Sequence, residues 1–119
     1  MIAANDLRQN NLLRDVLNGE IVNVLEVLAD GVSTINRYGI NYGFLEPIPL
    51  TEEWLLRFEF EINKTYCSKK INKTNEFDIM IFDDGWLLCD CDIHCKIKYV
   101  HQLQNVWFSL TGEELTIKD

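Results

Sequence analysis

Residues Trp86 to Val100 read WLLCDCDIHCKIKYV, which places Cys89, Cys91, His94 and Cys95 within seven positions. Thiolate and imidazole are ligands that zinc prefers, and Cys67 from a neighbouring strand could complete a set. The spacing argues against it. Zinc modules pair their ligands as C-x₂₋₄-C on a tight knuckle, whereas Cys89 and Cys91 are one residue apart and only Cys91 and Cys95 have that interval. The odd positions from Leu87 to Tyr99 are apolar or nearly so, and the even positions from Asp90 to Lys98 are all polar. A period of two predicts a strand with one buried face, and free cysteine packs as a small apolar residue. The expectation is a central core strand with its cysteines facing in, His94 facing out, and neither metal nor cofactor. A bulge or break near Asp92–His94 is expected, because fourteen residues are long for one strand. A disulfide framework is not expected: on one strand face Cys89 and Cys91 would lie roughly 6.5–7 Å apart between Cα atoms, at the limit for a bridge. Cys67, Cys89, Cys91, His94 and Cys95 are the residues on which a zinc-binding structural domain, the alternative reading, would rest.

Other constellations are weaker. Asp83, Asp84, Asp90 and Asp92 could gather a hard cation, but no lysine or histidine follows at a matching spacing, and Asp83-Asp84-Gly85 is ordinary turn chemistry. There is no G-x-S-x-G, P-loop or GxGxxG. His101 stands at a helix start with no evident partner and reads as structural or on the surface. Trp54, Trp86, Trp107 and Phe108 lie on apolar stripes and read as core. With no catalytic residue to name, the chain is not expected to be an enzyme.

Two helices and a set of hairpins must position these residues. Asn18-Gly19 is a hairpin signal of type I′ between strands Leu12–Leu17 and Ile21–Leu28, and Asp30-Gly31 leads into Val32–Ile35. The result is an N-terminal β-meander compatible with a small SH3-like barrel. Thr51 can cap a short helix whose first turn carries Glu52 and Glu53. Alternation from Phe58 to Ile62 predicts a strand over 58–66, Lys64–Lys73 a solvated hairpin loop, and Phe77–Phe82 another strand. From Val100 the period changes: Leu103, Val106, Trp107 and Leu110 share a helix face, opposite His101, Gln102, Gln104, Asn105 and Ser109. Gly112 suits the helix end. The fold class is α+β, with a mostly antiparallel sheet, a short middle helix and a C-terminal amphipathic helix, in one domain over 1–119.

The charge of −8 opposes non-specific binding to nucleic acid or anionic membrane. The start lacks a signal-peptide pattern and no stretch approaches the ~20 apolar residues of a membrane span, so a cytoplasmic protein is expected.

The segments Glu46–Phe58 (EPIPLTEEWLLRF) and Tyr99–Leu115 (YVHQLQNVWFSLTGEEL), with Ala4–Arg8 (ANDLR), resemble a family of small proteins in Bacteroides and its relatives, often associated with prophages or other mobile elements. The resemblance covers about a third of the chain and implies an origin without an activity. In the family that these segments resemble, glycine usually stands where this chain has Glu59, and the cysteine-rich stretch is outside the shared pattern. Taken together, the expectation is a non-enzymatic interaction or accessory module that binds another protein through a sheet edge or helix face. An acidic nucleic-acid mimic that occupies a host nuclease or DNA-binding protein is the rival reading.

Overall fold

The computed structural model describes residues 7–63, 66–71, 76–82, 85–90 and 93–117, with the backbone alone over 81–95. The chain is α+β, with short strands in three antiparallel sheets, a short middle helix and a longer C-terminal helix.

In the N-terminal half, β1 (Leu12–Asp15) pairs with β2 (Ile21–Asn23) and, across the half, with β6 (Leu45–Glu46). A second sheet holds β3 (Glu26–Val27), β4 (Gly31–Ser33) and β5 (Ile40–Asn41). The expected strand Ile21–Leu28 is bent in two at Val24-Leu25. The Val24 amide donates to the Asn11 carbonyl, whereas the Leu25 amide donates to Ser33, so each half serves a different sheet. Such a corner lets one run of chain wrap two sheets around one core, here Leu13, Val24, Val32, Ile40 and Leu45. β5, a 3₁₀ turn at Tyr42–Phe44 and β6 occupy a stretch where the sequence predicts no strand, and β6 returns to pair with β1, whereas the strands from β1 to β4 follow the expected meander.

Its turns differ from the type I′ expectation. Gly19 has a positive φ of 73° but Asn18 does not, and the loop Val16–Gly19 closes through the Gly19 amide on the Asp15 carbonyl at 2.8 Å. Gly31 serves close approach instead of a turn, since a Cβ there would stand 1.9 Å from the Ile40 carbonyl oxygen. The predicted run Val32–Ile35 ends at Ser33, and Ile35 is at the tip of a turn closed by the Thr34 amide on the Arg37 carbonyl at 2.7 Å.

The second half is built on β7 (Glu61–Ile62), β8 (Tyr66–Lys70), β9 (Glu76–Phe82), β10 (Gly85–Asp90) and β11 (Ile93–Ile97), in the order β11-β10-β9-β8-β7. Two predictions are corrected here. Residues 58–60 are the exit of a helix, so the strand expected over 58–66 shrinks to β7. The lysine-rich stretch read as a loop contains β8, because Cys67 and Ser68 are buried and Lys69 has work inside: its ammonium donates to the Phe58 carbonyl at 2.8 Å and stands 5.7 Å from the Trp107 ring.

Helix α1 (Glu52–Arg57) begins as its cap predicts, with the Thr51 hydroxyl accepting from the Trp54 amide at 3.4 Å. It ends in a Schellman closure: the Phe60 amide donates to Leu55 and the Glu59 amide to Leu56. That closure holds Glu59 at φ 67°, the left-handed conformation that glycine adopts freely. Helix α2 (Val100–Thr111) ends at Gly112 with φ 74°, as expected. Its start is capped from within, since the Gln102 side chain accepts from the Lys98 and Tyr99 amides at 2.8 and 3.1 Å. Phe58, Phe60, Phe77, Ile79, Leu103 and Trp107 make the larger core, with the Phe77 and Trp107 rings 5.3 Å apart. Phe108, predicted core, is 38% exposed and lies under the Arg8 guanidinium, while Trp86 falls where the backbone alone is described.

The two cores meet at β1 and α2. Gln104, expected on the solvent side of α2, is buried, and so is His101. The Gln104 carbonyl oxygen accepts from the Leu12 amide at 2.9 Å and its amide donates to the Asn10 carbonyl at 3.1 Å. Beside it Asn11 donates to Asn105 at 2.7 Å, and Arg8 pairs with Glu114.

Glu59→Gly tests the strain at the α1 exit. Relief of a left-handed conformation, roughly 1–2 kcal/mol, exceeds the added unfolded-state entropy of glycine, about 0.4–1 kcal/mol. The ion pair that is lost, Lys69 at 3.8 Å, is half exposed on the glutamate side and weak. A net gain of about 0.5 kcal/mol is expected in urea unfolding; a loss of stability would show that Glu59 is held by contacts that outweigh its backbone.

Candidate functional site

The cysteine stretch is two strands. β10 and β11 form a hairpin in which Cys89 opposes His94, Leu88 opposes Cys95 and Leu87 opposes Lys96. Across this hairpin an odd position on one strand shares a face with an even position on the other. The register therefore puts Cys89 and Cys95 in different rows, where one shared row was expected. Cys95 belongs to the row Ile62–Cys67–Ile79–Leu88–Cys95, whose members Cys67 and Ile79 are fully buried, whereas Cys89 and His94 share the other face by register. β10 ends at Asp90 and β11 begins at Ile93, while Cys91, Asp83, Asp84 and Asp92 lie outside the described residues. Of the two strands, β10 lies within the sheet, whereas β11 is an edge among the described residues.

Cys67 shares that row with Cys95 but is three strands away, roughly 14 Å at about 4.8 Å per strand, too far for both to ligate one zinc ion at about 2.3 Å. Burial pushes its thiol up to about 11, with the charge of Glu52 adding to the effect. The register thus leaves Cys89 and His94 as the one adjacent pair of the predicted ligands whose placement is described. Among the described residues no group of three or more histidine, cysteine or carboxylate side chains could hold a metal ion. Asp90 ends β10 opposite Ile93, and His101 is buried with its ring stacked on Tyr99 at 5.9 Å.

A different arrangement stands out in the N-terminal half. Asp15 is fully buried at the end of β1. Its carboxylate accepts from the Leu17 amide at 2.9 Å and from the Arg37 guanidinium. One charge therefore ties together the β1–β2 loop and the loop after β4. The Leu17 amide and then Arg37 hold the carboxyl below the usual carboxylate range, outweighing its burial. The Val16 amide donates to the Phe44 carbonyl at 2.9 Å, which adds the 3₁₀ turn to the same end of the molecule.

These anchored segments display apolar side chains to solvent. Ile35 is 88% exposed, Tyr38 83% and Leu17 66%, with Val16 and Phe44 each near half. Large apolar groups held outward on fixed loops form the kind of surface that protein contacts use. The predicted edge or helix face did not single these residues out, because Ile35 closes a predicted strand and Tyr38 lies outside the predicted elements. Their one sequence signal is apolar residues between turn formers, Thr34-Ile35-Asn36 and Tyr38-Gly39. Among the described residues no helix is long and apolar enough to cross a membrane.

Two measurements probe these centres. Asp15 has a folded pKa below its ordinary value, so its contribution is present above about pH 4 and is lost as pH falls through the depressed value. Asp15→Asn should lower the melting temperature at neutral pH and converge with the parent protein in acid; a constant gap at every pH would place the effect elsewhere. For Cys67, alkylation of the native protein at about pH 8 followed by peptide mapping should leave this thiol unmodified until denaturant is added. Rapid native labelling at Cys67 would contradict its burial.

Compared with known proteins, the chain matches no family model, no curated protein and no solved structure.

Proposed function

We propose that the chain is a non-enzymatic interaction module that binds another protein through the exposed apolar residues Leu17, Ile35, Tyr38 and Phe44. The observation that carries this reading is the Asp15 clamp. A buried carboxylate pins two loops by an amide and a guanidinium, so the apolar groups beside them are held outward with little freedom left to lose on binding. The association with a mobile element rests on the three resembling segments. The acidic-mimic reading rests on the charge of −8 and leads to a different salt response, since screening weakens exposed charges far more than apolar contacts.

Immobilised protein, the Leu17→Asp/Ile35→Asp variant and the control Leu56→Asp separate these readings, Leu56 being 59% exposed on α1 in the other half. Capture of a defined band from host lysate should fall about tenfold, or about 1.4 kcal/mol, in the double variant. It should persist in the control and survive raised salt. Equal capture by both variants would overturn the loop surface as the contact, and capture lost to salt alone would favour the acidic mimic.

A further inference from the structure

Next to the exposed loops is a cleft of about 340 Å³ between the β3–β4 turn and Tyr38-Gly39, lined by Leu28, Asp30, Gly31, Tyr38, Gly39 and Asn41. Its size, at the low end for binding cavities, suits one side chain better than a larger ligand. Three features define its chemistry. Tyr38 lines it with an aromatic ring that is 83% exposed. Asp30 is exposed and makes no ion pair among the described residues. No lysine or arginine lines the cleft, and the nearby Arg37 is engaged by Asp15.

The walls are set by hydrogen bonds. The Tyr42 amide donates to the Asp30 carbonyl at 3.1 Å and the Tyr42 hydroxyl to the Leu28 carbonyl at 2.6 Å. Tyr42 thus holds both ends of the β3–β4 turn. Its phenol is raised above its ordinary value, by burial first and then by the Asp30 charge. Gly39, at φ 75° with nothing within 4 Å of a Cβ position, adds no bulk to the lining.

An aromatic ring and a carboxylate without an ion pair, both lining one cleft that holds no lysine or arginine, complement a cation with an apolar stem. We propose that this cleft receives a lysine or arginine side chain of the partner protein. The proposal rests on the interaction reading above and names the chemistry of the residue that anchors it. The overall acidity of the chain acts in the same direction, since it favours encounter with a basic surface.

The full chain, ¹⁵N-labelled, would be titrated with Nα-acetyl-arginine N-methylamide and its lysine counterpart, and with the norleucine counterpart as the uncharged comparator. Saturable shifts are expected at the amides of Gly31, Tyr38, Gly39 and Asn41 with the basic probes, at millimolar concentrations. Asp30→Asn and Tyr38→Leu should each weaken them about fivefold while the rest of the spectrum is unchanged, both side chains being exposed. No saturable shift, or equal shifts with norleucine, would overturn the proposal. Should capture still depend on Leu17 and Ile35 in that case, the interaction reading survives and the basic anchor alone falls.

Discussion

Gln104 is the joint on which both halves of the molecule depend. Its side chain accepts from the Leu12 amide and donates to the Asn10 carbonyl, so a helix in one half completes the backbone bonding of a strand in the other. Buried backbone groups left unpaired cost about 1–3 kcal/mol each, which is why a polar residue outranks an apolar one at this place. The two cores follow from the same strand. Successive strand residues face opposite ways, so Leu12 enters the core with Phe58 and Trp107 while Leu13 enters the core with Val24 and Val32.

Asp15 plays the matching part at the other end of β1. The strands of the N-terminal half are two to four residues long, and ladders that short contribute few bonds of their own. Side-chain anchors replace them: Asp15 to Leu17 and Arg37, Asn41 to Gly43, and Tyr42 to Leu28. A small scaffold held this way can keep loops in place while their apolar side chains remain outside, and this couples its stability to its proposed contact surface.

The helices were legible because their signals are local. Thr51, the acids after it, and Gly112 act within one turn of the residues they cap, and the structure uses each of them so. The β10–β11 hairpin was not legible as a hairpin. The residues between its strands include no glycine, asparagine or proline, and Cys91-Asp92 continues the apolar-polar alternation across the reversal. One long strand and two short ones then share a single pattern, although they place Cys89 on opposite faces. Asp15 was equally hidden, since its burial needs Arg37, twenty-two residues away.

Sequence alone therefore determined the class of the fold, both helix positions and most strand locations, because capping, periodicity and turn chemistry operate over three or four residues. Tertiary structure decided which faces are inside. His101 and Gln104 became core residues when α2 met β1, and Lys69 turned inward when the Phe58 carbonyl and Trp107 came within reach. Glu59 shows the same division at one position. The chain ends α1 there by local rule, but the left-handed backbone is imposed because Phe58 and Phe60 on either side must both enter one core. Burial is a property of partners far apart in the chain, and no local pattern encodes it.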